Sequence, residues 1–175
     1  MRAMSAARHP LTSLPASVPA AFRGAIVAAT DAWSVLLGPR LISAVLFGSV
    51  ARGTSHRSSD IDLLIIAEGF PRSLSERRRL LLAEWARVQA TNGLAAVDWN
   101  LVTKTPDEAR FHSPLYLDIV EDGILLIDRD QFFQSVLDAM RARMRELGCR
   151  RIFLEDGSWY WDLKPDFRFG EVVEI

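Results

Sequence analysis

The chain has 175 residues, with 21 lysines and arginines against 22 aspartates and glutamates, so its formal net charge is −1. This length is enough for one domain with a sizeable core, and the charge gives no general attraction to nucleic acid or an anionic membrane. The single cysteine, Cys149, excludes an intrachain disulfide and a cysteine-rich metal site. We find no apolar run that reads as a membrane span and no secretory signal, so we expect a cytoplasmic protein without a membrane partner.

The first half of the chain alternates apolar and amphipathic segments. Residues 1–16 are rich in Ala, Ser and Pro and are predicted to be flexible. Gly-Pro, Ser and Gly positions then mark the ends of helices and of β-branched apolar runs. In order, the patterns predict a helix over 19–37 with Ser17 as N-cap, a buried strand over 41–47, a buried strand over 60–67, a helix over 73–92 capped by Ser73, and a strand over 95–102.

The second half continues the alternation. The patterns predict a helical stretch capped by Thr105, a helix from Ser113-Pro114 to Gly123, a strand over 124–127, a helix over 130–147, and a two-stranded ribbon with a type I′ turn at Asp156-Gly157. Strands separated by helices predict a mixed α/β fold. We expect residues 17–149 to form the main domain and residues 150–175 a C-terminal hairpin tail.

The stretch FGSVARGTSHRSSDID, residues 47–62, carries the first chemical signal. A buried strand that ends in Gly48-Ser49 before a helical turn offers backbone N–H groups and a hydroxyl to a phosphate. Gly48 and Gly53 have the separation of a Walker-type P-loop, but Thr54 occupies the position of its lysine. The pattern therefore predicts a phosphate-binding turn and argues against a P-loop NTPase.

Two carboxylates follow the turn, Asp60 and Asp62. Side chains at i and i+2 of a strand lie on one face, and two adjacent anions are unfavourable unless a cation joins them. Mg²⁺ prefers such hard oxygen ligands and keeps positions open for nucleotide phosphates. A solvated Asp60 beside a hydrogen-bonded Asp62 is the alternative, but the nearby phosphate-binding turn favours the metal interpretation.

The whole of LFGSVARGTSHRSSDIDLL, residues 46–64, resembles the signature of the DNA polymerase β-type nucleotidyltransferase superfamily, and most closely its small minimal nucleotidyltransferases. The resemblance implies a nucleotidyltransferase fold, a small mixed sheet flanked by helices, over roughly residues 20–130. It also implies a third carboxylate on a later strand, for which the sequence offers Asp98. The implied site is a two-metal Mg²⁺ centre at Asp60, Asp62 and Asp98, with Gly48, Ser49 and Arg52 contacting the phosphates of ATP.

The partner is implied by the resemblance alone. Minimal nucleotidyltransferases are often encoded beside a HEPN-type ribonuclease toxin and act as antitoxins that adenylylate a tyrosine of that toxin. The alternatives are a nucleotidyltransferase for a small molecule such as an aminoglycoside, a non-catalytic module that binds nucleotide or blocks the toxin, and a glycosyltransferase-type Asp-x-Asp site. The near-neutral charge argues against a nucleic-acid acceptor, and a homo-oligomer is left open.

The tail lies outside this signature. Trp159 and Trp161 alternate on one face of the predicted hairpin, and we expect them to cover the sheet or the helix over 130–147. We also expect removal of residues 156–175 to change the oligomeric state or partner affinity before it abolishes nucleotide binding.

Overall fold

The computed structural model describes residues 14–173 and residue 175; most of the predicted flexible segment 1–16 lies outside these residues. The helices are α1 (Ala20–Leu37), α2 (Gly48–Arg52), α3 (Leu74–Asn92), α4 (Pro106–Arg110), α5 (Leu115–Asp122) and α6 (Phe132–Leu147), with 3₁₀ turns at Gly38–Arg40 and Arg129–Gln131. The strands are β1 (Leu41–Phe47), β2 (Ile61–Ala67), β3 (Trp99–Lys104), β4 (Ile124–Asp128), β5 (Arg150–Phe153) and β6 (Trp159–Asp162).

The first four strands form one mixed sheet in the order β3-β2-β1-β4. Strand β1 is antiparallel to both of its neighbours, whereas β2 and β3 are parallel. The register pairs Phe47 with Asp62 and Asp62 with Asn100. The end of β1 therefore meets the starts of β2 and β3 at one edge of the sheet, which confirms the predicted mixed α/β class.

Helices cover both faces of the sheet, so its central strands are almost wholly apolar. On one face, α1 and α3 pack against alternate residues of the strands, and Trp33 and Trp85 each meet Trp99 edge-to-face with ring centroids 5.2 Å apart. On the other face lie α4, α5 and α6, where Tyr116 and Phe133 are fully buried. Burial on both faces explains why every residue of β1 is buried and why all of them but Ser43 are apolar.

Helix α1 corrects the expectation that no apolar run in the sequence is long enough to span a membrane. Residues 20–40 are long and apolar enough to cross a membrane by length and composition alone. In the fold, however, Ile26, Ala29 and Trp33 of this helix are buried against the sheet, and the indole N–H of Trp33 donates to the carbonyl of Leu81 at 2.9 Å. The apolar stripe of α1 is thus accounted for by core packing.

Helix ends differ from the predicted caps in two places. Pro19, not Ser17, is the N-cap of α1, and no side chain caps it. Asp130, predicted as the first residue of the last helix, has a φ of 53° and precedes it. Helix α6 starts only at Phe132, where the Asp128 carboxylate accepts hydrogen bonds from the first-turn N–H groups. By contrast, Thr105 forms the predicted cap of α4.

The C-terminal hairpin is present, but its turn is not type I′. Strands β5 and β6 pair with Phe153 opposite Trp159. The N–H of Gly157 donates to the carbonyl of Leu154 at 3.0 Å, and Gly157 has a φ of 82°. A type I′ turn requires a positive φ at both central residues, and Asp156 does not have one. The connection is therefore a longer loop with Gly157 at its left-handed position.

Candidate active site

Gly48 and Asp62 are in direct contact at the edge of the sheet. Gly48 is the first residue of α2 and has a φ of 72°. A Cβ atom placed on it would lie 1.9 Å from Oδ2 and 2.7 Å from Cγ of Asp62. Only glycine fits here, because the Asp62 carboxylate occupies the space that a side chain would need. Gly48 thus brings the start of α2 and the Asp62 carboxylate together.

Asp62 is half-buried, and its surroundings include groups that raise its pKa and groups that lower it. Burial, above all, raises the pKa of the Asp62 carboxyl above its usual 3.8, and repulsion from Asp60 raises it further. A hydrogen bond from Asn100 Nδ2 to Oδ1, 2.8 Å long, and the positive charge of Arg52 act in the opposite direction. A cation bound near Asp62, in addition to Arg52, would therefore stabilise the ionised form of this carboxylate.

Asp60 and Asp98 immediately precede parallel strands. Asp98 was predicted inside a strand, but β3 begins one residue later, at Trp99. The N–H of Ile61 donates to the carbonyl of Asp98 at 2.8 Å, so Asp60 and Asp98 occupy equivalent positions before their strands. Both side chains are exposed. The register pairs Asp62 with Asn100, and Asp60 and Asp98 each lie two positions before one of these residues.

Among residues 14–173 and 175, no three His, Cys, Asp or Glu side chains lie close enough together to hold a metal ion. The Asp60 and Asp62 pair nevertheless fits Mg²⁺, because this ion is commonly bound by one or two carboxylates together with substrate phosphates. The mutual repulsion of the pair is the condition that such an ion removes. The role of Asp98 as a third ligand stays a prediction.

The remaining predicted phosphate ligands lie on α2. Ser49 is half-buried in its first turn, and no side chain caps that turn. Arg52 is the last residue of α2, and its side chain is 22% exposed. Its guanidinium lies 3.8 Å from Asp122 Oδ2 and 4.5 Å from the ring centroid of Trp159. The positive charge of Arg52 also lowers the pKa of Asp62, so the two side chains interact electrostatically.

Three residues of this region escape sequence reasoning. Asn100 follows Asp98 by two positions and shares its face, a signal that strand periodicity carries. Asp122 and Trp159 reach Arg52 from distant parts of the chain, so no local pattern marks them.

The turn at Gly48, the adjacent carboxylates and the mixed sheet that aligns them together form the candidate active site. The nucleotidyltransferase domain family matches residues 33–126, more than half of the chain. The chain belongs to this family and is a nucleotidyltransferase.

The chain is also similar to individual proteins, one by its sequence and two by their solved structures. The chain is 30% identical over 126 residues to the "Putative protein adenylyltransferase MJ1305" of Methanocaldococcus jannaschii, covering 70% of this chain and 82% of the relative. It is also similar to a toxin–antitoxin crystal structure with AMP-PNP (TM-score 0.45, 23% identity) and to a mutant of the toxin–antitoxin pair MntA-HpeT (TM-score 0.45, 22% identity). Each of these two similarities covers 71% of this chain and 91% of the other.

Proposed function

We propose that the protein transfers AMP from ATP to a protein hydroxyl in a Mg²⁺-dependent reaction, and that the acceptor is a tyrosine of a HEPN-type ribonuclease toxin in the cytoplasm. One observation carries the chemical part of the proposal. The Asp62 carboxylate lies against Gly48 at the start of α2, so the turn that would bind the triphosphate and the carboxylate that would bind Mg²⁺ are adjacent.

The residues have distinct roles in this reaction. Gly48 and Ser49 bind the triphosphate, and Arg52 neutralises part of its charge. Asp60 and Asp62 would hold Mg²⁺, which supplies charge neutralisation at the phosphates and an in-line arrangement of the reacting oxygens. The acceptor oxygen bonds to the α-phosphorus as the bond to the bridging oxygen of the β-phosphate breaks. Pyrophosphate leaves, and Asp98 would help to take the proton of the acceptor hydroxyl.

The acceptor is supported by different evidence. The relative from Methanocaldococcus jannaschii is named as a protein adenylyltransferase, and the chain covers most of its length. A net charge of −1 is a poor match for a polynucleotide acceptor. The choice of a HEPN toxin and of a tyrosine rests on the resemblance of residues 46–64 to the minimal nucleotidyltransferases.

The test is a labelling assay with purified protein, Mg²⁺ and a HEPN ribonuclease from the same genome. ATP labelled on the α-phosphate should label the ribonuclease, whereas ATP labelled on the γ-phosphate should not. Asp60→Asn and Asp62→Asn should each reduce the labelling rate by about 100-fold or more, and replacement of Asp31, an exposed carboxylate of α1, by asparagine should leave it unchanged. Phenylalanine in place of the modified tyrosine, located by mass spectrometry, should abolish the label.

Other outcomes would replace parts of the proposal. Label in a small molecule would keep the enzyme class and change the acceptor. Protection from the toxin by the Asp62→Asn variant, at the level of the wild type, would contradict the enzymatic account and favour a module that blocks the toxin.

A further inference from the structure

The C-terminal hairpin contacts the predicted phosphate ligand Arg52. Trp159, the first residue of β6, places its ring centroid 4.5 Å from the guanidinium carbon of Arg52. This is within the range of a cation–π contact. Trp159 therefore does not simply cover the sheet as the sequence suggested, whereas Trp161 does pack against the apolar cluster under α5 and α6. The hairpin lies beyond residues 33–126, which the family model matches.

The indole of Trp159 is itself held in place by α5. Asp118 Oδ1 accepts hydrogen bonds from Nε1 of Trp159 at 3.1 Å, from Nε1 of Trp161 at 3.0 Å and from the guanidinium of Arg151 at 3.1 Å. The Arg151 guanidinium lies 5.1 Å from both indole rings, and its side chain is only 13% exposed. A carboxylate with three donors fixes the orientation of both rings.

Asp122, one turn further along α5, joins the two arginines. Its Oδ2 lies 2.9 Å from the Arg151 guanidinium and 3.8 Å from that of Arg52. The separation from Arg151 is that of a close ion pair, whereas the separation from Arg52 is longer than a hydrogen bond. Arg52 is consequently held beside Asp122 without being committed to it, and it can exchange this partner for a phosphate oxygen.

A free arginine at the end of a five-residue helix would sample many rotamers, and ordering it on nucleotide binding would cost conformational entropy. The Trp159 ring removes part of that cost in advance, because it offers one flat surface on which the planar guanidinium rests. Arg52 ends the same short helix that begins with Gly48, and its charge acts on Asp62, so the guanidinium held by Trp159 belongs to the candidate site.

We propose that Trp159 is a positioning residue for Arg52, and that the C-terminal hairpin is thereby part of the nucleotide site. The inference rests on the proposed function, since it assigns Arg52 to the triphosphate. It also reverses the expectation for the tail: loss of the hairpin weakens nucleotide binding directly, through Arg52, and not only through a partner or a dimer.

The test is calorimetric binding of Mg²⁺ with a non-hydrolysable ATP analogue, and of AMP, to the full chain. Trp159→Ala should weaken the ATP analogue by about 3- to 20-fold, the range that a cation–π contact supplies, and should leave AMP, which lacks the outer phosphates, nearly unchanged. Trp159→Phe should retain most of the affinity, and Trp159→Leu should not. Tyr160→Ala is the matched control, because Tyr160 is the next residue of β6 and is 54% exposed.

A double-mutant cycle separates positioning from a general structural effect. In the Arg52→Ala background, Trp159→Ala should have no further effect on the ATP analogue. Additive losses, or equal losses for AMP and the ATP analogue, would overturn the role of Trp159 while leaving the proposed function intact. Absence of nucleotide binding by the wild-type chain would instead overturn the proposed function. Should Trp159→Ala not fold, the comparison of Phe with Leu at this position decides the same point.

Discussion

The carboxylate of Asp62 occupies the position of the missing side chain of Gly48, with Oδ2 only 1.9 Å from where a Cβ would lie. Fourteen positions apart in sequence, the two residues face each other because Phe47 pairs with Asp62 across β1 and β2. The glycine was expected to admit a phosphate to the backbone. Its first effect in the fold is to admit the carboxylate of the same chain.

Substitution of Gly48 should therefore damage the site more than it damages the fold. Gly48→Ala adds a left-handed strain of about 1–2 kcal/mol and forces the Asp62 carboxylate to move. A displacement of this kind should reduce adenylyl transfer by about 100-fold. Gly93→Ala is the matched control, since Gly93 has a φ of 61° and open space around its Cβ. Equal losses of activity in the two variants, compared at equal fractions folded, would contradict the assignment.

The ionised Asp62 carboxylate should lower the stability of the folded protein, although the reaction needs it. Its pKa in the folded state is raised above the usual 3.8. Between the unfolded-state and folded-state pKa values, the folded protein therefore binds more protons than the unfolded chain does. Stability consequently falls as the pH rises through the folded-state pKa of Asp62. Asp62→Asn keeps the shape without the charge, and it should leave the melting temperature at pH 7 unchanged or higher while lowering activity by about 10²–10³-fold. A clear drop in melting temperature would show that the ionised carboxylate stabilises the fold.

Sequence patterns predicted the elements well because the sheet is buried on both faces. The β1 and β2 runs are apolar except for Ser43 and Asp62, and glycines mark the ends of α2 and α3. The site could be predicted as far as its residues are local: Gly48, Ser49, Asp60 and Asp62 lie within fifteen positions. Asp98 required the resemblance, and its strand, predicted from residue 95, begins only at Trp99.

The rest depends on contacts between segments that are distant in sequence. The surroundings of Arg52 come from Asp122 on α5 and Trp159 on β6. Such contacts are decided by how the hairpin packs on α5, and no periodicity within either element encodes that packing. The start of α6 was missed for a different reason, since Asp130 and Gln131 adopt left-handed backbone angles that non-glycine residues rarely take.

Asn100 should tune the pH dependence of the reaction. Its side chain donates to Asp62 Oδ1 at 2.8 Å and lowers the pKa of that carboxyl. Asn100→Ala removes this effect, so the pKa of Asp62 should rise further and the acid limb of the activity profile should move to higher pH. The loss of activity should accordingly be larger on the acid limb of the profile than on its plateau. A profile lowered by the same factor at every pH would contradict this role, and Asn92→Ala, at the end of α3, should leave the profile unchanged.

Arg77 should be the most stabilising charged residue of α3. It is 2% exposed, and its guanidinium makes a bidentate ion pair with Glu108 at 2.6 and 2.9 Å. It also donates to the carbonyls of Pro71 at 2.5 Å and Thr103 at 3.4 Å. Arg77→Ala leaves these acceptors without their donor and should lower the free energy of unfolding by about 2–4 kcal/mol. Chemical denaturation at pH 7 measures the change.

The same ion pair predicts an acid-sensitive contribution to stability. The hydrogen bonds from Arg77 lower the pKa of Glu108 from 4.5 to about 2. Its contribution is therefore complete above pH 4.5 and is lost as the pH falls toward 2. Because the Glu108 side chain is 46% exposed, solvent screening reduces this contribution. Glu108→Gln should thus be less stable than the wild type at pH 7, and the difference should shrink as the pH is lowered through this window. Arg87→Ala, which removes an exposed pair with Glu84, should leave the denaturation midpoint almost unchanged. A Glu108→Gln difference that is constant with pH would mean that packing, and not the ionised carboxylate, stabilises the contact between α3 and α4.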